Sequence, residues 1–256
     1  MKTGGARHAT YLGVDLTDAY ARRPRPIDVC GLEPAHGRLA ARFWTWTYEP
    51  GGPHDVAALL PEIRAARGTV IDGPHALASV GASMRECERI VAAAGKTKCV
   101  LPAAGSAPFA GFIRSSVELF VALQRAGLRI GLDGAPSGAL AEQYPGGNWT
   151  RLAGARLPKK TTEAGRQARR LVLETLGVVF PHSVPLADDH LDAALGAVIA
   201  AAADGCVAGA SVATIGWPLV VDAAGQPREG TILLLELDKR TQLRVRAALG
   251  APRGGS

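Results

Sequence analysis

The order of the apolar segments is the feature that most limits the folds open to this chain. Three β-rich runs, at residues 11–16, 27–32 and 39–48, follow one another, and the turn-forming sequence GLEPAHG joins the second to the third. Short connections of this kind favour an antiparallel meander. From residue 55 onward, helical spacing alternates with short strands, an order typical of a mixed α/β sheet covered by helices.

The later elements extend this α/β pattern. Helices are predicted at residues 55–67, 83–94, 115–126, 161–176 and 188–203. Strands are predicted at 69–71 and 140–144, and a C-terminal hairpin elaboration at 219–237. We therefore expect one domain over residues 11–240, between a flexible N-terminal arm at 1–10 and a C-terminal tail at 241–256.

Composition argues against several classes of protein. No apolar run reaches the roughly 20 residues that a membrane-spanning helix needs, and the first residues, MKTGGARHAT, contain no apolar signal core. None of the four cysteines belongs to a CxxC pair, which argues against a zinc knuckle and against a disulfide framework. We expect a cytoplasmic protein without a membrane partner.

The positive charge of the chain is concentrated in one segment. The net charge is +6, and residues 151–170 contain seven basic residues against one acidic residue. A basic surface of this density indicates a phosphate-containing or nucleic-acid partner. The alternative is an Arg-rich helix face that only contacts solvent.

Four acidic residues indicate a metal site. Asp15 and Asp72 each end a predicted strand, Glu142 lies in another, and Asp192 lies in a predicted helix. Ligand sites in α/β sheets gather beyond the carboxyl ends of strands, and carboxylate oxygens suit one or two Mg²⁺ or Mn²⁺ ions. Each residue also has an ordinary structural interpretation: Asp15 and Asp72 as turn residues and Glu142 as a strand-end charge.

The helix at 188–203 offers a second acidic residue. Asp192 lies at the edge of the apolar face, next to Gly196, where another backbone segment can approach. A carboxylate in that place needs a partner, and a metal ion is a suitable one. We prefer Asp188, one turn earlier, over Asp189 as its companion ligand, although an Asp just before a helix is also a common N-cap.

Six short segments, in order, carry a resemblance to a known family. They are GVDLT at 13–17, IDGP at 71–74, RECER at 85–89, AEQYP at 141–145, LPKKTTEAGRQAR at 157–169 and DDHLDA at 188–193. Together they cover residues 11–204 and resemble the DUF429 family of predicted RNase H-like nucleases. The resemblance implies a five-stranded mixed sheet that begins with a meander and is flanked by helices.

The resemblance also implies roles for individual residues. Asp15, Glu142 and Asp192 would be metal ligands, and Asp72 a further contributor or a group that positions the substrate. A phosphate would face three basic residues, namely Lys159, Lys160 and Arg169. Lys160 also begins the cap region of a helix, where backbone N–H groups favour anions.

The leading hypothesis is a divalent-metal-dependent nuclease or phosphodiesterase that cleaves nucleic acid with metal-activated water. Asp15, Asp72, Glu142 and Asp192 would form its catalytic centre, and Lys160 would steady the phosphate. One alternative is a non-catalytic module that binds nucleic acid or nucleotide on the same scaffold. Another is a nucleotide hydrolase or kinase-like relative, with GLDGAPSG at 131–138 as a phosphate loop that lacks the P-loop pattern.

Overall fold

The strands of the chain join one mixed sheet with helices on both faces. The computed structural model describes residues 10–23, 25–49, 51–132, 138–181 and 186–250. Its strands are β1 (Tyr11–Asp15), β2 (Ile27–Ala35), β3 (Arg38–Trp46), β4 (Gly68–Asp72), β5 (Arg129–Ile130), β6 (Ala139–Gln143), β7 (Val178–Val179), β8 (Ala210–Val221) and β9 (Pro227–Leu237). Its helices are α1 (Val56–Ala65), α2 (Glu86–Ile90), α3 (Ala110–Arg125), α4 (Pro145–Ala153), α5 (Glu163–Thr175), α6 (Asp188–Ala203) and α7 (Lys239–Ala248).

The predicted meander at the start of the sheet is confirmed. β1, β2 and β3 pair antiparallel in sequence, and β4 and β6 then add in parallel on the other side of β1. The turn between β2 and β3 consists of His36 and Gly37, both at positive φ, which matches the twist of a tight hairpin. The carboxyl ends of β1, β4 and β6 therefore lie side by side.

Within the described residues the sheet has nine strands, not the five that the resemblance implied. Its order is β7-β3-β2-β1-β4-β6-β9-β8, with β5 also paired to β6. β5 and β7 are two residues long each, too short to show any apolar periodicity. The C-terminal hairpin is longer than predicted, and β9 pairs in parallel with β6, so the hairpin continues the main sheet.

The helices agree with the predictions in part. α6 has the predicted limits, but α2 covers only Glu86–Ile90 of the expected 83–94. α4, which was not predicted, begins with Pro145 at a first-turn position directly after the predicted strand at 140–144. α7 occupies the first half of the expected tail, because Asp238 caps it and Val245 packs into the core. Of the expected N-terminal arm at 1–10, residues 1–9 lie outside the described residues, and so do residues 251–256. No described helix is long and apolar enough to cross a membrane.

Two glycines bring α6 against the central strands. A Cβ at Gly13 of β1 would overlap the carbonyl oxygen of Ala193 in α6. A Cβ at Gly196 would lie 3.0 Å from the carbonyl oxygen of Val70 in β4. Any larger side chain would hold the helix away from the sheet, so these glycines set the approach that brings the N-terminal turns of α6 to the ends of β1 and β4.

Candidate metal centre

Two aspartates end neighbouring parallel strands. Asp15 of β1 and Asp72 of β4 are direct register partners, so their side chains leave the same face of the sheet next to each other. Burial and the charges of Asp72 and Asp192 raise the pKa of Asp15 well above its usual value. Burial and the charge of Asp192 raise the pKa of Asp72 to about 8. Without a cation, this pair therefore retains a proton at neutral pH.

The first two turns of α6 add carboxylates to the same place. Asp189 and Asp192 are both buried. One carboxylate oxygen from each of them and one from Asp15 all lie within 4.8 Å of one another. Oxygen atoms at this separation can share one cation, and all three are hard ligands. We call Asp15, Asp189 and Asp192 the metal triad. The triad is suited to hold a metal ion.

Three side chains hold the two helix-borne carboxylates in place. The indole Nε1 of Trp149 donates to Asp192 Oδ1 at 2.6 Å, and Lys160 Nζ donates to Asp192 Oδ2 at 2.9 Å. Lys160 Nζ also lies 3.3 Å from Asp189 Oδ1, and Arg25 forms an ion pair with the other oxygen of Asp189. These contacts fix the direction in which each carboxylate points.

The pKa values within the triad reflect how many cations each carboxylate contacts. Burial raises the pKa of Asp192 even though Lys160 opposes the shift. Burial would also raise the pKa of Asp189, but Lys160 and Arg25 together lower it. For Lys160, burial of the ammonium would lower the pKa, and the carboxylates of Asp192, Asp15 and Asp189 raise it overall. Lys160 therefore stays charged at any pH near neutrality.

The structure does not bring Glu142 into the triad. Glu142 pairs in register with Ile71, one residue before the row that holds Asp72, so its side chain leaves the opposite face of the sheet. There the Arg85 guanidinium binds both carboxylate oxygens, at 2.6 and 2.8 Å, and His75 Nδ1 lies 2.7 Å away. Burial alone would raise the pKa of Glu142, but Arg85 and His75 hold it at about 2.

The other predicted residues also occupy separate places. Asp188 is half-buried at the start of α6 and lies 3.8 Å from Lys160, outside the triad. Arg169 is buried against Trp149, with Nη1 donating to the carbonyl oxygens of Pro158 and Gly165. Of the three predicted phosphate contacts, Lys160 alone lines the cleft beside the triad, since Lys159 is exposed in a neighbouring groove.

The cleft beside the triad has walls of different character. Its volume is about 300 Å³, at the lower end of the range for small-molecule sites. Asp15, Asp72 and Asp189 form its acidic end with Lys160. The N-terminal end of α3 supplies an apolar wall, which includes the half-exposed Phe109. A ligand with a cation-binding anionic group and an apolar portion fits this arrangement.

Sequence reasoning preferred Asp188 to Asp189, and it missed Trp149 and Arg25 among the residues that hold the triad. α6 is buried on nearly every side, so its apolar pattern does not show which side faces the sheet. The close approach at Gly196 was the better signal, because at about 100° per residue Asp189 lies on the same side as Ala193 and Gly196, and Asp188 does not. Trp149 and Arg25 come from distant segments and left no local signal.

The comparisons with known proteins are limited to one family. No curated protein and no solved structure matches the chain. A family described as "Protein of unknown function (DUF429)" matches residues 27–213, which include Asp72, Lys160 and both triad aspartates of α6. The match begins after β1, so Asp15 lies outside it. Because the match extends over well more than half of the chain, this protein belongs to the DUF429 family.

Proposed function

We propose that this protein is a divalent-metal-dependent phosphodiesterase that hydrolyses nucleic acid. The observation that carries the proposal is the metal triad, three buried carboxylates from two elements whose oxygens lie within 4.8 Å of one another. Collecting buried carboxylates costs free energy through desolvation and mutual repulsion. A bound cation offsets that cost, and a role in hydrolysis would explain why the protein collects these carboxylates in one place.

The donor set favours Mg²⁺ or Mn²⁺, as one or two ions. All three triad ligands are carboxylates, and neither a cysteine nor a histidine belongs to the group, so softer metals such as zinc have no preferred ligand there. A bound divalent cation supplies Lewis acidity that lowers the pKa of a water molecule and offsets charge on phosphate oxygens. Asp72, beside the triad, is placed to accept a proton or a further ligand bond.

The basic side chains at the cleft fit a phosphate. Lys160 keeps 43% of its side chain exposed while it contacts Asp192, so the ammonium is accessible from the cleft. Arg25 also lines the cleft, on the side of Asp189. Lys160 would orient a phosphate group over the carboxylates, and the contacts from Trp149 and Arg25 would hold the ligands still during reaction.

An RNase H-like scaffold is part of the same proposal. Three antiparallel strands lead into parallel β4 and β6, and the order β3-β2-β1-β4-β6 places the first strand in the centre. One acidic residue comes from that first strand and two come from α6, which packs across it. These features support the scaffold that the sequence resemblance implies.

The test combines metal binding with cleavage. Calorimetry with Mn²⁺ is run on the wild type and on the Asp15→Asn and Asp192→Asn variants, with Glu163→Gln as a surface control because the Glu163 side chain is 82% exposed. We expect the triad variants to lose more than about 100-fold in Mn²⁺ affinity, the upper range for substitutions that only touch a ligand. The control is expected to match the wild type.

Cleavage is measured on labelled single- and double-stranded RNA and DNA, with Mg²⁺, Mn²⁺ or EDTA. Metal-dependent cleavage that both triad variants abolish would support the proposal. Mn²⁺ binding at the triad without cleavage of any of the four substrates would favour the non-catalytic module instead. Absence of Mn²⁺ binding, or equal binding by all variants, would contradict the metal centre itself.

A further inference from the structure

A second groove runs beside the cleft. It is formed by α4, the segment between α4 and α5, and parts of α2, β8 and β9, and its volume is about 760 Å³. We call it the basic groove. Its floor contains the buried rings and aliphatic chains of Trp149 and Leu234. It is larger than the cleft, and nothing about the metal triad accounts for it.

The charge of the basic groove has one sign. Four of the described residues that line it are basic, and none is acidic; the basic ones are Arg151, Arg156, Lys159 and Arg169. Arg156 and Lys159 are exposed, and neither side chain has an acidic partner among the described residues. Arg151 is already paired with Glu236, so Arg156 and Lys159 carry the charge that is left to attract a polyanion.

The groove and the cleft are adjacent. The ring of Tyr144 lines both, and the consecutive residues Lys159 and Lys160 point one into each. An extended anion that occupied both would cross Tyr144 on its way from the basic groove to the carboxylates of the triad. A small phosphoester that fills the cleft alone would leave the groove unused.

We propose that the basic groove holds the phosphate backbone of a polynucleotide strand whose adjoining phosphate lies in the cleft. This inference rests on the proposed function, and it names the substrate as a polymer that extends beyond one phosphodiester. Arg156 and Lys159 make backbone contacts that are independent of base identity. Strand binding then depends on salt through the phosphates that these residues neutralise.

The experiment measures binding, so that it does not depend on cleavage. Fluorescence anisotropy follows a labelled mixed-sequence single strand of about 12 nucleotides in EDTA, over a series of salt concentrations. For Arg156→Ala/Lys159→Ala, we expect about tenfold weaker binding and a salt slope reduced by about 1.4, since each phosphate contact to a single strand contributes about 0.7. The loss is expected to be the same for different sequences.

The matched control is Arg125→Ala/Arg129→Ala. It also removes two exposed positive charges, but from the end of the sheet opposite the cleft. An equal effect of both double variants would overturn the inference, because strand binding would then depend only on the net charge of the protein. If poly-glutamate displaced the labelled strand as well as an unlabelled strand does, the assignment of the groove to a polynucleotide would be overturned. If strands bind as expected but no cleavage occurs, only the proposed function fails.

Discussion

Two groups of buried carboxylates lie near the carboxyl ends of the same strands. Their surroundings shift the pKa values of Asp15 in one group and Glu142 in the other in opposite directions. The metal triad lies beside a further carboxyl group, that of Asp72, and its contacts with cations are those to Lys160 and Arg25. The second group, which we call the ion-pair network, consists of Glu142, Glu88, Arg85 and His75. The pKa of Glu142 is lowered to about 2, whereas the pKa of Asp72 is raised to about 8.

The difference shows what separates a structural carboxylate from a candidate ligand. Every oxygen of Glu142 already has a cation or an N–H group at hydrogen-bond distance, so a metal would have to displace a buried guanidinium. Burial raises the pKa of both Asp15 and Asp72 instead, and a cation can replace a proton bound there at a lower cost. Acidic residues at strand ends are therefore not equivalent, even one residue apart.

The largest effect is expected from breaking the ion-pair network. Arg85→Met leaves Glu142 buried without its cation, which destabilises a protein by about 3–5 kcal/mol. Urea denaturation measures the change, and Arg89→Met is the matched control on the same helix. The Arg89 side chain is 64% exposed and pairs with Glu86, so its loss should cost far less stability than the loss of Arg85. Equal losses would contradict a structural role for the network.

The two groups should also give stability opposite dependences on pH in EDTA. Because the pKa of Asp72 is raised, its contribution is complete below pH 4 and is lost as the pH rises through about 8. Because the pKa of Glu142 is lowered, its contribution is present above pH 4.5 and is lost as the pH falls through about 2. In thermal unfolding between pH 4 and 9, stability should therefore fall as the pH rises. The Asp72→Asn variant should show a smaller fall.

The size of that change is expected to be roughly 1–3 kcal/mol, less than the full conversion at about 1.36 kcal/mol per pKa unit, because Asp72 is only partly buried. Glu142→Gln serves as the control and should leave the slope above pH 5 unchanged. Saturating Mn²⁺ should remove the slope at high pH, since the cation takes the place of a proton bound at Asp15 or Asp72. If the stability of the wild type in EDTA did not change with pH, the raised pKa of Asp72 would be contradicted.

Much of this arrangement follows from sequence and part of it does not. Strand-end position was enough to point to Asp15 and Asp72, because β1 and β4 are parallel and their register places these residues side by side. The same reasoning misplaced Glu142, since strand ends are uncertain by a residue and one residue reverses the face. The extra strands escaped detection because β5 and β7 are set by pairing with neighbours, not by local pattern.

The smallest and most selective test compares two adjacent aspartates of α6. Asp189→Asn removes a triad ligand and should weaken Mn²⁺ binding by at least about tenfold, whereas Asp188→Asn should change it by less than about threefold. Both variants remove one negative charge near Lys160, which lies 3.3 Å from Asp189 and 3.8 Å from Asp188. Long-range electrostatics therefore affects the two nearly equally, and a difference in calorimetric affinity reports ligand contact. Equal effects, or a larger one from Asp188→Asn, would move the site to the outer side of the helix and remove Asp189 from the triad.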